Sequence, residues 1–84
     1  MREYNENLTF KKAIAYWGGD LKTIRRACAY APAHPDELME ELMADGMSME
    51  TALNIVNWCI DTGTNKAAYK NLAARINRIT MLSA

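Results

Sequence analysis

The stretch Ser48–Gly63, SMETALNIVNWCIDTG, predicts the helix around which the rest of the chain is arranged. Serine is a good N-cap residue, and glycine favours the end of a helix. When the residues are placed about 100° apart, the apolar ones form a single arc about 160° wide. Its members are Met49, Ala52, Leu53, Ile55, Val56, Cys59 and Ile60. Because so apolar a helix is unusual in a short chain, we expect the other helices to pack on it.

Four more helices are predicted from capping residues and from the spacing of apolar residues. They cover about Leu8–Trp17, Leu21–Ala31, Pro35–Ala44 and Asn65–Ile79. Asn7 would cap the first of these helices, and the sequence contains no strand pattern and no linker. We therefore predict an all-α fold, a compact bundle of about five short helices packed around a central helix at about 48–62. It forms one domain over residues 1–84, with residues 1–7 flexible.

The composition is typical of a folded, water-soluble domain. Half of the residues are apolar, and ten basic side chains balance ten acidic ones. No apolar run approaches the ~18 residues of a membrane span, and the polar start MREYNEN is not a signal peptide. We therefore expect a cytoplasmic protein that does not enter membranes. In that compartment the two cysteines, Cys28 and Cys59, would be reduced core residues.

The charges are segregated although they sum to zero. Between Arg26 and Lys66 there is no lysine or arginine, but this interval holds seven of the ten acids. The third helix carries five of them, Asp36, Glu37, Glu40, Glu41 and Asp45, which we call the acidic face. Like charges four residues apart each cost a few tenths of a kcal/mol (about 0.2–0.5), so helix stability does not account for this arrangement.

Two interpretations of the acidic face follow. It is either a solvated surface, partly neutralised by Lys22, Arg25 and Arg26 of the preceding helix, or a surface that docks onto a basic partner. Docking of the second kind would be electrostatically steered and sensitive to salt. Trp58 falls on the polar side of the central helix, so it is either covered by a neighbouring helix or an exposed anchor of the same docking surface.

Two basic surfaces offer an alternative, direct contact with nucleic acid. The first surface combines Lys22, Arg25 and Arg26 with Tyr30. The second surface, on the fifth helix, contains Lys66, Lys70, Asn71, Arg75 and Arg78. Such side chains suit phosphates and base edges. The zero net charge counts against a dedicated nucleic-acid-binding domain.

The stretch AIAYWGGDLKTIRRACAYA, residues 13–31, resembles the helix-turn-helix of Fis-type DNA-binding domains. In those domains a turn of the Gly-Gly-Asn kind precedes a helix with small residues, and a basic recognition helix then enters the major groove. Here the next helix, PDELMEELMAD, carries five acids and no base. Phosphates would repel it, so we expect a helix-turn-helix-like shape without groove reading by this helix.

Catalytic motifs are missing from the sequence. There is one histidine, His34, in a proline-flanked loop where it can cap the next helix, and both cysteines fall on predicted inner arcs. No phosphate-binding loop, zinc spacing or calcium loop occurs. We therefore expect a protein that is not an enzyme and that needs neither a metal nor a cofactor.

The hypothesis for function is a small protein-binding module, an inhibitor or adaptor, whose acidic face and Trp58 dock onto a basic, nucleic-acid-binding partner. In size and charge display it is similar in type to small phage-encoded inhibitors of nucleic-acid machinery, anti-CRISPR proteins among them. The alternative is a DNA-binding transcriptional regulator that uses the fifth helix. A homodimer with Met81 and Leu82 in its contact is a third possibility.

Overall fold

The computed structural model describes residues 4–83 of the chain, with side chains as far as residue 79. In that range it forms six helices and no strand, which confirms the predicted all-α bundle. The helices are α1 (Glu6–Trp17), α2 (Leu21–Tyr30), α3 (Pro35–Ala44), α4 (Met49–Gly63), α5 (Lys66–Lys70) and α6 (Leu72–Ser83). No helix in the described part of the chain is both long and apolar enough to cross a lipid bilayer. The side chains of Met81 and Leu82, and with them the predicted dimer contact, lie outside the described residues.

Helix α4 is the centre of the bundle, as predicted, and it packs against α1, α2, α3 and α5. The side of α4 that faces inward differs from the predicted arc, however. Met49 and Leu53 are 65% and 49% exposed, whereas the inward side has gained Trp58 and Thr62. The full set of buried residues on α4 is Ala52, Ile55, Val56, Trp58, Cys59 and Thr62. The bundle thus buries an aromatic ring in preference to two flexible side chains at the start of the helix.

Trp58 was predicted either to be covered by a neighbouring helix or to be an exposed docking anchor. The structure confirms the first alternative, since Trp58 is only 1% exposed, and its assignment to the docking surface is wrong. Its ring packs against Phe10 of α1 with the ring centroids 5.4 Å apart. Its indole N–H donates a hydrogen bond of 2.9 Å to the carboxylate of Glu6. A tryptophan can be buried at low cost only when this polar N–H finds an acceptor, and Glu6 supplies one.

The chain is ordered earlier than predicted. Asn5, not Asn7, caps α1 by accepting a hydrogen bond of 3.0 Å from the backbone N–H of Leu8. The hydroxyl of Tyr4 donates to Asp61 of α4 at 2.6 Å. Residues 4–7, predicted to be flexible, thus include residues that contact the rest of the fold, and residues 1–3 lie outside the described residues.

Gly63 has a different role from the predicted one. It is the last residue of α4, and its backbone is not in the left-handed conformation that typically ends a helix at glycine. A β-carbon at this position would lie 1.9 Å from the carbonyl oxygen of Cys28. Gly63 is therefore the point at which the backbones of α2 and α4 come into direct contact.

The predicted fifth helix is divided in two at Asn71, which has φ −82° and ψ −4°. Backbone hydrogen bonds still connect the two parts, since the N–H of Asn71 donates to Ala67 and its carbonyl accepts from Arg75. The division leaves α5 with five residues. Leu72 and Ile76 of α6 contribute to the core, as the apolar spacing predicted.

We expect Gly63→Ala to lower the free energy of unfolding by about 2 kcal/mol or more, because the new methyl group overlaps a backbone carbonyl that cannot rotate away. The control is Gly46→Ala, which has φ +100° and no atom within 4 Å of the added carbon. This control should lower the free energy of unfolding by only about 1 kcal/mol, the backbone strain that a side chain adds at this φ. Urea unfolding followed by circular dichroism measures both losses, and equal losses would contradict the close contact.

Candidate functional site

The acidic face lies on the outer side of α3. Leu38 and Leu42 of this helix are buried against the core. Because both leucines point inward, the carboxylates point outward, and all five acidic residues are exposed to solvent. Pro35 occupies the first turn of the helix and His34 precedes it without a capping hydrogen bond from its side chain. The helix thus presents acids to solvent from its first turn to its C-cap.

The cations of α2 form no ion pair with the acidic face. Within the part of the chain described, no lysine or arginine nitrogen lies within 4.0 Å of any of its carboxylates. The nearest group capable of positive charge is His34, whose Nδ1 lies 3.3 Å from Glu37. Asp36, Glu40 and Glu41 make no side-chain hydrogen bond within the described residues. None of Lys22, Arg25 and Arg26, the predicted source of partial neutralisation, forms an ion pair with the acidic face.

Two tyrosines hold the remaining carboxylates of the acidic face. The hydroxyl of Tyr16, on α1, donates to Asp45, and the hydroxyl of Tyr30, on α2, donates to Glu37. The hydrogen bond to Asp45, aided by partial burial, raises the pKa of Tyr16 to about 12. The corresponding bond raises the pKa of Tyr30 and lowers the pKa of Glu37. A neutral hydroxyl orients a carboxylate and leaves its charge in place.

Exposed apolar side chains lie at the corner where α3 passes into α4. Met43 is 38% exposed near the end of α3, Met49 is 65% exposed at the start of α4, and Leu53 is 49% exposed one turn later. Residues four apart on a helix lie on the same face, so Met49 and Leu53 form one apolar strip. We call these three residues the apolar corner. Asp45, the last residue of the acidic face, lies between Met43 and Met49 in the chain.

The basic face predicted on the fifth helix is not a single surface. The guanidinium of Arg75 binds both carboxylate oxygens of Glu6, at 2.7 and 2.5 Å, and lies 3.9 Å from the centroid of the Phe10 ring. Arg75 therefore acts as a structural link between α6 and α1, in contrast to its predicted contact with nucleic acid. The exposed members of that surface are Lys66, Lys70, Asn71 and Arg78.

The basic surface on α2 is also smaller than predicted. Arg25 is half-buried, and its Nε atom has no hydrogen-bond partner in the described structure. Its guanidinium lies 5.8 Å from the centroid of the Tyr69 ring, and its carbonyl accepts from the Tyr69 hydroxyl at 3.4 Å. Lys22 and Arg26 remain exposed. Arg25 thus serves mainly to join α2 to α5.

The cysteines lie in the interior. Cys28 and Cys59 are both fully buried and both are free thiols. A hydrogen bond with the Cys28 side chain, together with burial, raises the pKa of Cys59 above that of an exposed thiol. The sulfur of Cys59 therefore stays protonated and unreactive. Among the described residues, no three His, Cys, Asp or Glu side chains are arranged to hold a metal ion.

We expect Arg75→Ala to lower the free energy of unfolding by about 2 kcal/mol, because it leaves the half-buried carboxylate of Glu6 without its cation. Arg78→Ala, on the same helix but exposed, is the matched control and should change stability by less than about 0.5 kcal/mol. Urea unfolding measures both variants. Equal effects would show that Arg75 is a surface residue.

We expect Asp45→Asn to lower the pKa of Tyr16 from about 12 toward the ordinary value of 10.0, because the amide accepts the hydroxyl without a negative charge. The contact stabilises the folded chain below pH about 10, and its contribution is lost as the pH rises toward about 12. Phenolate absorbance, with Tyr16→Phe subtracted to isolate this ring, measures the shift. An identical titration in both proteins would contradict the hydrogen bond.

No protein-family model, curated protein or solved structure matches this chain.

Proposed function

We propose that this protein is a small binding module that docks its acidic face onto the basic surface of a partner protein. The single observation that carries the proposal is that no lysine or arginine of the described residues forms an ion pair with this face. The chain has as many basic as acidic side chains, yet no described lysine or arginine pairs with the five carboxylates of α3. The negative charge is therefore available to another molecule.

The energetics of α3 support a role beyond folding. Its carboxylates repel one another at spacings of four residues, and Asp45 stands at the helix C-terminus, where the helix dipole disfavours an anion. Tyr16 and Tyr30 fix two of these carboxylates without removing their charge. Local arrangements that cost stability and have no compensating gain within the fold occur chiefly at functional sites.

The apolar corner adds surface that a partner can remove from water. Charge alone gives steering and specificity more than affinity, whereas buried apolar contacts supply most of the binding free energy. Methionine is common on adaptable binding surfaces because its side chain is flexible and polarisable. Met43, Met49 and Leu53 lie where the acidic face ends, so one partner can contact both.

The proposed partner is a protein or complex that binds nucleic acid, because such proteins carry extended basic surfaces. A module that covers such a surface would act as an inhibitor by excluding the phosphates, or as an adaptor if another site remains open. An inhibitor of this kind would be similar in type to the small phage-encoded anti-CRISPR proteins. The alternative, DNA binding through the fifth helix, has less support because Arg75 is engaged by Glu6 and α5 has only five residues.

The proposal is tested with the triple variant Asp36→Lys, Glu40→Lys, Glu41→Lys. These are the three carboxylates without a partner in the described fold, so their reversal should leave the bundle intact. The tagged protein is used to capture partners at low and high salt, with and without nuclease. We expect a nuclease-resistant partner that is released by salt and lost completely in the triple variant.

The matched control is Lys66→Glu, Lys70→Glu, which changes exposed charges of the opposite sign on α5. This control should keep the partner. Capture that survives reversal of the acidic face would overturn the proposal. Capture that is lost on nuclease treatment or in the α5 variant would instead support the DNA-binding regulator.

A further inference from the structure

A pocket of about 270 Å³ opens beside the acidic face, where α1, α2 and α3 meet. Residues from all three helices line it, namely Trp17, Thr23, Arg26, Ala27, Tyr30, Leu38 and Glu41. Since Tyr30 and Glu41 line this pocket and Tyr30 also holds Glu37, the pocket is continuous with the acidic face. We call it the tyrosine–tryptophan pocket.

Two aromatic side chains, Trp17 and Tyr30, form part of the pocket wall. Trp17 lies edge-on to Tyr16, with ring centroids 5.2 Å apart, and Tyr30 stacks on His34 at 4.6 Å. The Tyr30 ring is also tied to α3 through its hydroxyl. Leu38 and Ala27 are almost fully buried and close the floor. The two aromatic side chains are therefore held in place before any ligand arrives.

One carboxylate at the pocket, that of Glu41, is free to bind a ligand. Glu37, Glu41 and Asp45 follow one another at intervals of four residues, so they form a row along α3. Tyrosine hydroxyls donate to the first and the last of them, whereas Glu41, in the middle, has no donor among the described residues. Both tyrosine hydroxyls already donate their single proton. Glu41 is exposed, so a ligand can bind its carboxylate without breaking a hydrogen bond within the described fold.

One carboxylate, that of Glu41, and one cation, Arg26, line the pocket. Glu37 and Asp45 continue the same row of acids on α3 beyond the pocket, so the charge around its mouth favours a positive ligand. Among the basic side chains, arginine fits this pocket best. Its planar guanidinium stacks on aromatic rings and can bind a carboxylate with two parallel hydrogen bonds. The lysine ammonium is more strongly hydrated and has no plane to stack.

We propose that the tyrosine–tryptophan pocket receives an arginine side chain of the partner, which lies against Trp17 and Tyr30 and binds the carboxylate of Glu41. This inference rests on the proposed function, since it identifies the residue that anchors the partner on the acidic face. Buried arginine and aromatic residues dominate the binding free energy of many interfaces. Arg26, at the same pocket, opposes the incoming charge and so weakens the contact.

The test uses a small probe, N-acetyl-arginine amide, and the indole N–H signals of the two tryptophans in nitrogen-15 NMR spectra. Trp17 lines the pocket, and Trp58 is buried and bonded to Glu6, so Trp58 is an internal reference. We expect saturable movement of the Trp17 signal with a Kd on the order of millimolar. The citrulline analogue, which has the same shape without the charge, should bind about tenfold more weakly.

Two neighbouring glutamates provide matched variants. Glu41→Gln should weaken binding of the arginine probe about tenfold, because it removes the charge-assisted hydrogen bonds. Glu40→Gln makes the same change in charge at an exposed residue outside the pocket, so it should weaken binding less than about twofold. Arg26→Ala should strengthen binding, because the opposing charge is removed.

The outcomes separate this inference from the proposed function. No movement of the Trp17 signal, equal binding of the citrulline analogue, or equal effects of Glu40→Gln and Glu41→Gln would overturn the arginine pocket. None of those results bears on partner capture by the whole acidic face, which the triple charge reversal tests independently. If the triple variant loses its partner while Glu40→Gln and Glu41→Gln weaken probe binding equally, the acidic face docks onto a partner but the pocket does not bind an arginine.

Discussion

The carboxylate of Glu6 is the group on which the arrangement of this bundle depends. It accepts the indole N–H of Trp58 from α4 and both terminal nitrogens of Arg75 from α6. One side chain near the start of the chain thus connects the first helix, the central helix and the last helix. Because the indole has an acceptor, Trp58 can be buried against Phe10, and the inward side of α4 is set by that ring. The same bonds engage Trp58 and Arg75 within the fold, so neither side chain is free to contact a partner of the acidic face.

The boundaries of α2, α3 and α4 were accessible from the sequence because they depend on local chemistry. Asp20 and Ser48 accept hydrogen bonds at the starts of α2 and α4, and α3 covers the predicted Pro35–Ala44. The side of α4 that faces the core could not be predicted from the sequence, because the acceptor that stabilises Trp58 lies 52 residues earlier in the chain. Gly63 illustrates the same limit. A glycine at the end of a helix is equally consistent with a left-handed turn and with close contact between backbones, and only the position of Cys28 distinguishes them.

The candidate site was likewise predicted only in part from the sequence. Segregation of charge along the chain predicted an exposed acidic helix, since five acids and two inward leucines leave only one orientation for α3. The sequence did not indicate that Tyr16 and Tyr30 hold Asp45 and Glu37, because these contacts join different helices. It also suggested cations from α2 as partners of the acidic face. Arg25 instead packs on Tyr69, which turns it toward α5 and away from α3.

The choice of tyrosine over lysine as the partner of these carboxylates has an electrostatic consequence. A lysine at position 16 or 30 would hold a carboxylate equally well and would cancel its charge, whereas a hydroxyl fixes the position of the oxygens and leaves the field intact. The chain as a whole has no net charge, so it is not attracted to basic surfaces in general. With acids gathered on α3 and exposed bases on α2, α5 and α6, it carries a strong charge asymmetry. A neutral but asymmetric molecule is oriented by a partner's field more than it is attracted, which favours one docking geometry over indiscriminate binding.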